Sequence, residues 1–535
     1  MSQQISEVRA KRALPIAVIA VGALAAGALA ACGSSSSTAQ TGGIGAASVL
    51  PANAFAFASL DVEPADGEKG QLLGTLLKFP AIAKNVKIGP SDDVRAKIFE
   101  QILKNQPKGC GMTYAADFQP WLGTQVGVAG VVEAGQPTAA VAVQITDEAK
   151  AKAAVAKLSS PACDDSKGAK KVPAIAYSGG WAIGAQDQKT LDAVMAQTAQ
   201  GSLANDANFK KWTAKTGGPG FATVYAGPSL GGVIDSALKK MVAASGSFSK
   251  DFNKGLSAGL AKNPLASICP NQSDPTKAMD QLGAMLSGFQ GGALTVRAKN
   301  AGVEIEGDVD TSFAGSVVAG TATGDLTKLP ANTAAAVSFA PPQNFWDQIM
   351  TQLGKSCGPS FDRAKVEAGI AQMTGLSVPG DLNTLLGKSL TLALGGGTNL
   401  LTAFTQPATA PVALLLNGDS GAIQSVVSSL LTRTGASAVF SSKVAGDDVV
   451  LSPKGSSFAS TVTSGGLGND PAFQDVVPNA GNSPVVLYVN FNQLQASFGS
   501  IPQKVLENLK VLKALGISAQ YSGSDAHLFI RLSTN

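Results

Sequence analysis

Leu50-Pro51-Ala52-Asn53 introduces an apolar run from Ala54 to Leu60, and the same four residue types return as Leu329-Pro330-Ala331-Asn332 ahead of Thr333 to Phe339. A second pair of landmarks is Asp117-Phe118-Gln119-Pro120-Trp121-Leu122-Gly123, followed by Val126 and Val128, and Asp381-Leu382-Asn383-Thr384-Leu385-Leu386-Gly387, followed by Leu390 and Leu392. A third is Asn205-Asp206-Ala207-Asn208-Phe209 against Asn469-Asp470-Pro471-Ala472-Phe473. The first pair is offset by 329 minus 50, or 279 residues, and the other two by 381 minus 117 and 469 minus 205, both 264. An offset shared by unrelated motifs marks an internal duplication, because a unit copied whole keeps its internal spacing. The expected body is therefore two tandem copies of one domain, at 49–318 and 326–535, the first carrying extra residues around Ser245 to Ser287.

Periodicity sets the class of that domain. Val126 to Val132, Thr138 to Ile145, Ala174 to Ala185, Phe221 to Ala226, Ala293 to Ala298 and Val303 to Val309 read as strands, several alternating apolar and polar residues. Asp147 to Leu158, Asp187 to Gln197 and Leu230 to Val242 read as helices, two of them opening on an Asp suited to capping. Short turns such as Tyr177-Ser178-Gly179-Gly180-Trp181 join neighbouring strands as hairpins. The expected fold is α+β twice over, with mostly antiparallel sheet and helices packed on one face.

Ahead of the body, Arg9, Lys11 and Arg12 precede an apolar run from Ala13 to Ala31, the layout of a secretory signal peptide at 1–31. It ends in Leu29-Ala30-Ala31-Cys32, which resembles the lipobox of bacterial lipoproteins, so Cys32 is the expected lipidation site. Residues 32–48, nearly all Gly, Ser, Thr and Ala, read as a flexible tether of about 20 Å. The remaining cysteines, Cys110, Cys163, Cys269 and Cys357, are an even number in turn-like contexts with no CxxC pair, suited to two disulfides in an oxidising compartment. Spacing leaves all three connectivities open.

Composition restricts the rest. A formal net charge of +4 over 535 residues gives no strong field for nucleic acid. A single histidine, His527, disfavours zinc chemistry, and no HExxH, Walker A or dinucleotide-binding glycine motif occurs, so no metal or cofactor is expected. Gly227-Pro228-Ser229-Leu230-Gly231 is a GxSxG between a strand and a helix, the setting of a nucleophile elbow, with His527 downstream. Ser229 nevertheless aligns with Asn492 in the second copy, and the two share only the ability to cap a helix. Capping likewise accounts for Asp419 in Gly418-Asp419-Ser420-Gly421, opposite Asp147. Asp308 and Asp310 read as a solvated strand face, Gly395-Gly396-Gly397 as a hairpin end, and Trp121, opposite Leu385, as core.

Leu50 to Asn53 with Ser59-Leu60-Asp61, Phe79-Pro80-Ala81, Asp117 to Gly123 and Thr146-Asp147-Glu148 together resemble a family of bacterial envelope proteins, domain of unknown function 3352, over most of Val49 to Asn535. The resemblance implies an envelope location and carries no activity. The expected function is a non-enzymatic interaction or scaffold module, lipid-anchored on the extracytoplasmic face of the membrane, with an envelope protein or hydrophobic ligand as partner and no nucleic acid. The alternatives are a carrier of a hydrophobic or lipid ligand in a cleft between the repeats, and a serine hydrolase using Ser229.

Overall fold

The computed structural model describes residues 44–64, 66–86, 92–103, 110–163, 173–244, 283, 286–312, 320, 325–358, 361–397 and 406–535. The leader expected at 1–31, Cys32, most of the tether expected at 32–48, and Cys269 lie outside them. The chain divides into two compact units, Met1–Leu230 with Gly291–Asp308, and Gly231–Gln290 with Val309–Asn535. The segment 231–290, read from sequence as part of the first copy, thus groups with the second.

In the first unit the strands are β1 (Ala56–Asp61), β2 (Leu122–Glu133), β3 (Gln136–Ile145), β4 (Ala174–Ser178), β5 (Trp181–Ala185), β6 (Ala222–Ala226), β7 (Gly292–Lys299) and β8 (Gly302–Asp310). They lie side by side in the order 8-7-6-1-2-3-5-4. The second unit has β9 (Thr333–Phe339), β10 (Ser389–Gly395), β11 (Val412–Asn417), β12 (Phe440–Ala445), β13 (Asp448–Pro453), β14 (Val485–Asn490), β15 (Leu512–Ser522) and β16 (Asp525–Thr534). Their order, 16-15-14-9-10-11-13-12, is the same arrangement strand for strand. The first strand of each set is central and pairs antiparallel on both sides, β1 with β2 and β6, β9 with β10 and β14.

Contacts at the duplicated motifs also repeat. Leu203 N–H donates to the Leu50 carbonyl and Leu467 N–H to the Leu329 carbonyl, each at 2.8 Å. The Asp117 carboxylate accepts from Thr113 N–H and the Asp381 carboxylate from Ser377 N–H, each at 2.7 Å. Asp206 caps the helix Ala207–Thr213 and Asp470 the helix Pro471–Val476. Each cap seats a buried Phe edge-on against a buried Tyr: Phe209 on Tyr225 at 5.1 Å and 79°, Phe473 on Tyr488 at 5.0 Å and 77°. Asp206→Ala and Asp470→Ala are each expected to lower unfolding free energy by about 1 kcal/mol in urea titrations, the usual value of such a cap. A neutral result at either position would show that this cap is not needed to hold its helix.

The α+β class holds, with helices against both sheet faces rather than one. On β3, Ala140 and Ala142 pack with Leu191 and Val194 of the helix Gln188–Gln200. The alternate residues Val143 and Ile145 pack with Ala151 and Ala154 of the helix Glu148–Leu158. In the second unit, Ala413 and Leu415 of β11 join the core containing Phe473, whereas Leu414 and Leu416 face Ile423 and Val427 of the helix Ser420–Arg433. The tether also ends earlier than expected. Gly45–Val49 is a 3-10 turn with Ala46 and Ala47 fully buried, and Gly127 makes room for it, since a Cβ there would stand 2.3 Å from that of Ala46.

Candidate functional site

The residues singled out by sequence fall mostly into structural roles. Cys110 and Cys163 form a disulfide closing a 53-residue separation, and Cys357 is also disulfide-bonded. Asp147 and Asp419 cap their helices, accepting from Lys150 and Ala422 N–H at 3.0 Å. Asn492 does not cap: Asn490 accepts the N–H of both Asn492 and Gln493, while the Asn492 side chain exchanges hydrogen bonds with that of Asn535. Ser229 is exposed in the turn after β6, in the first unit, whereas His527 belongs to β16 of the second. Asp308 and Asp310 are buried rather than solvated; Asp308 pairs with Lys215 at 3.0 Å and Asp310 accepts from Gln290 N–H at 2.8 Å. Gly395 is a packing glycine, since a Cβ there would meet the Phe458 ring at 2.5 Å. Trp121, Trp181 and Trp212 are buried, and Trp346 donates to Glu367 at 3.0 Å. Among the described residues no three His, Cys, Asp or Glu side chains gather as a metal-binding group. A concavity lined by Asp325, Leu326, Ser338, Ser483 and Val486 is too tight for a water molecule.

Two features went unnoticed in the sequence. The first is an ionic cluster where β1 ends. Glu63 is 3% exposed, and neither carboxylate oxygen has a hydrogen-bond partner. Its nearest cation is the Arg95 Nε, at 3.4 Å. That guanidinium is occupied elsewhere: Nε and Nη2 donate to Asp93, and Nη1 donates to the carbonyls of Leu122 and Gly123. Tyr114 adds a 2.6 Å bond to Asp93. Burial pushes Glu63 up to about 8, more than Arg95 pulls it back. Burial would also raise Asp93, but the hydrogen bonds from Tyr114 and Arg95 outweigh it and hold that carboxyl below its usual range. The cluster belongs to the first unit, because the 279-residue offset places Ala340 and Pro342 opposite Asp61 and Glu63.

The second feature is the sheet surface of the second unit. Strand pairing aligns three cross-strand rows on one face of β10, β9, β14, β15 and β16. The middle row is Leu392, Val337, Leu487, Ile517 and Ile530; Leu394, Ala335, Val489, Leu515 and Leu532 flank it on one side, and Leu390, Phe339, Val485, Ala519 and Leu528 on the other. All fifteen side chains are apolar; Leu392 at 51% and Val337 at 39% are exposed and the other thirteen part-buried, Phe339 lying against Phe345 of the helix Phe345–Cys357 at 5.2 Å and Leu390 packing with Ile423 and Val427. The opposite face is buried yet holds Ser338, Thr391, Asn490, Ser518, Arg531 and Ser533. A half-covered antiparallel sheet ordinarily turns its polar residues to water and its apolar ones inward. Here that polarity is reversed. Their counterparts in the first unit are smaller: Val128 for Leu392, Ala58 for Val337 and Val224 for Leu487.

The family described as protein of unknown function (DUF3352) matches residues 14–395. The chain belongs to this family. The DUF3352 match takes in all of the first sheet and the central strands β9 and β10 of the second. No curated protein matches the chain. Among the described residues no helix is long and apolar enough to cross a membrane.

Proposed function

We propose that this DUF3352 protein is an exported lipoprotein, held at the extracytoplasmic face of the cell membrane through Cys32, and that it acts there as a binding module rather than an enzyme. The observation that carries the binding role is the reversed polarity of the second unit's sheet. Contiguous apolar surface of this kind marks a site of contact, and the exposed Leu392 and Val337 at its centre fall in none of the buried cores. The disulfide between Cys110 and Cys163, together with a bonded Cys357, supports an oxidising compartment, since such bonds persist outside the reducing cytosol. Ser229, exposed and matched by an asparagine in the other copy, supports a non-catalytic reading.

Two measurements test this. Metabolic labelling with radioactive palmitate is expected to mark the wild-type protein, and Cys32→Ala to abolish the label and release the body from the membrane fraction; retained label would overturn the anchoring site. A photo-crosslinking amino acid at position 392 is expected to form adducts in intact cells well above those from one at exposed Ser229. Equal yields at the two positions would remove the binding surface.

A further inference from the structure

We infer that the partly exposed apolar face of the second unit's sheet, centred on Leu392 and Val337, binds the aliphatic chain of a membrane lipid, a reading that rests on the binding role proposed above and names its ligand class. The chemistry of the face selects that occupant. Of its fifteen side chains fourteen are Ala, Val, Leu or Ile and one is Phe339, so none offers a hydrogen-bond donor, an acceptor or a charge. Protein partners are recognised otherwise: their interfaces carry about one hydrogen bond per 100–200 Å², and Trp, Tyr and Arg dominate the binding energy. A hydrocarbon chain needs no polar partner, and it gains from every apolar contact in proportion to the area it removes from water.

Dimension agrees with chemistry. Five neighbouring strands at about 4.8 Å spacing make the row from Leu392 to Ile530 about 19 Å long, comparable to the roughly 15 Å that the chains of one leaflet span in a 30 Å hydrocarbon core. The row is continuous, because each residue is the direct cross-strand partner of the next: Leu392 with Val337, Val337 with Leu487, Leu487 with Ile517, and Ile517 with Ile530. A lipid-anchored protein also works where acyl chains are the most abundant apolar ligand.

The test uses the full chain and a diazirine-bearing palmitic acid as probe, with the labelled positions mapped by peptide mass spectrometry. Adducts are expected on β9, β10, β14 and β15. The double variant Val337→Glu with Leu392→Glu is expected to cut labelling at least tenfold, and the milder Val337→Ser with Leu392→Ser to cut it severalfold. Unchanged circular dichroism in the serine variant guards against misfolding as the cause. Val141→Glu, at an exposed position of the first unit's sheet, is expected to leave labelling unchanged. Adducts spread evenly along the chain, labelling indifferent to both double variants, or an unlabelled stable dimer in native mass spectrometry would each overturn the inference. If palmitate labelling fails while position 392 still crosslinks to a protein in cells, the lipid is wrong and the binding surface stands; if both fail, the binding surface falls with it.

Discussion

Glu63→Gln is expected to flatten the pH dependence of stability, the variant gaining on the wild type by on the order of 4 to 5 kcal/mol between pH 4 and pH 9. The sign follows from linkage. Burial pushes Glu63 up to about 8 in the folded protein from an ordinary carboxyl value of 4.5, so between the two the folded state holds a proton that the unfolded state has already released. Its contribution is fully present below pH 4.5 and is lost as the pH rises through 8. Glutamine keeps the shape and cannot ionise, so it removes the slope; any constant penalty from its amide shifts the whole curve without tilting it. Chemical denaturation at intervals from pH 4 to 9 reads the effect directly. Parallel profiles for the two proteins would mean that Glu63 is already ionised against Arg95, and that the 3.4 Å approach is a working ion pair.

The second large effect concerns the disulfide. Replacing both Cys110 and Cys163 with serine is expected to reduce unfolding free energy by about 4 kcal/mol, the loop-closure value for cysteines separated by 53 residues. Cys110 is buried with Tyr114, Phe118 and Trp121 in the core that also receives the helix Glu148–Leu158, and Cys163 packs against the same cluster. Loosening the bond therefore loosens the seating of that helix. A loss below about 1 kcal/mol, measured by guanidinium titration with and without reductant, would show that packing alone fixes this region.

The sequence made local features legible and left tertiary ones hidden. Equal offsets between motifs located segments that occupy matching places in both units, down to the Asp cap, the buried Phe and the Tyr it meets. Helices opening on Asp147, Asp187 and Asp419 were readable because capping is a contact within four residues. Helices on both faces were not, since strands such as Val412–Asn417 are apolar on either side and alternation cannot say which side is covered. The strand around His527 is the clearest instance. Arg531 and Ser533 stand on the side of that strand opposite Leu528, Ile530 and Leu532, and the side that carries them is the buried one, with Arg531 tied to Asp475 at 2.8 Å. Glu63 and Arg95 are 32 residues apart in the chain, with the helices Asp66–Leu76 and Pro80–Val86 between them, and no local spacing announces their approach.

The position of β1 and β9 at the centre of their sheets bears on how the chain comes together. Each is the earliest strand of its set to be synthesised, yet one flank of β1 waits for β6, whose Ala226 lies opposite Ala56, and one flank of β9 waits for β14. During the residues in between, each nascent half has an unsatisfied row of amides and carbonyls along its central strand, the condition under which chains stick to their neighbours. The pairing that closes each gap is non-local, the kind of contact that slows folding.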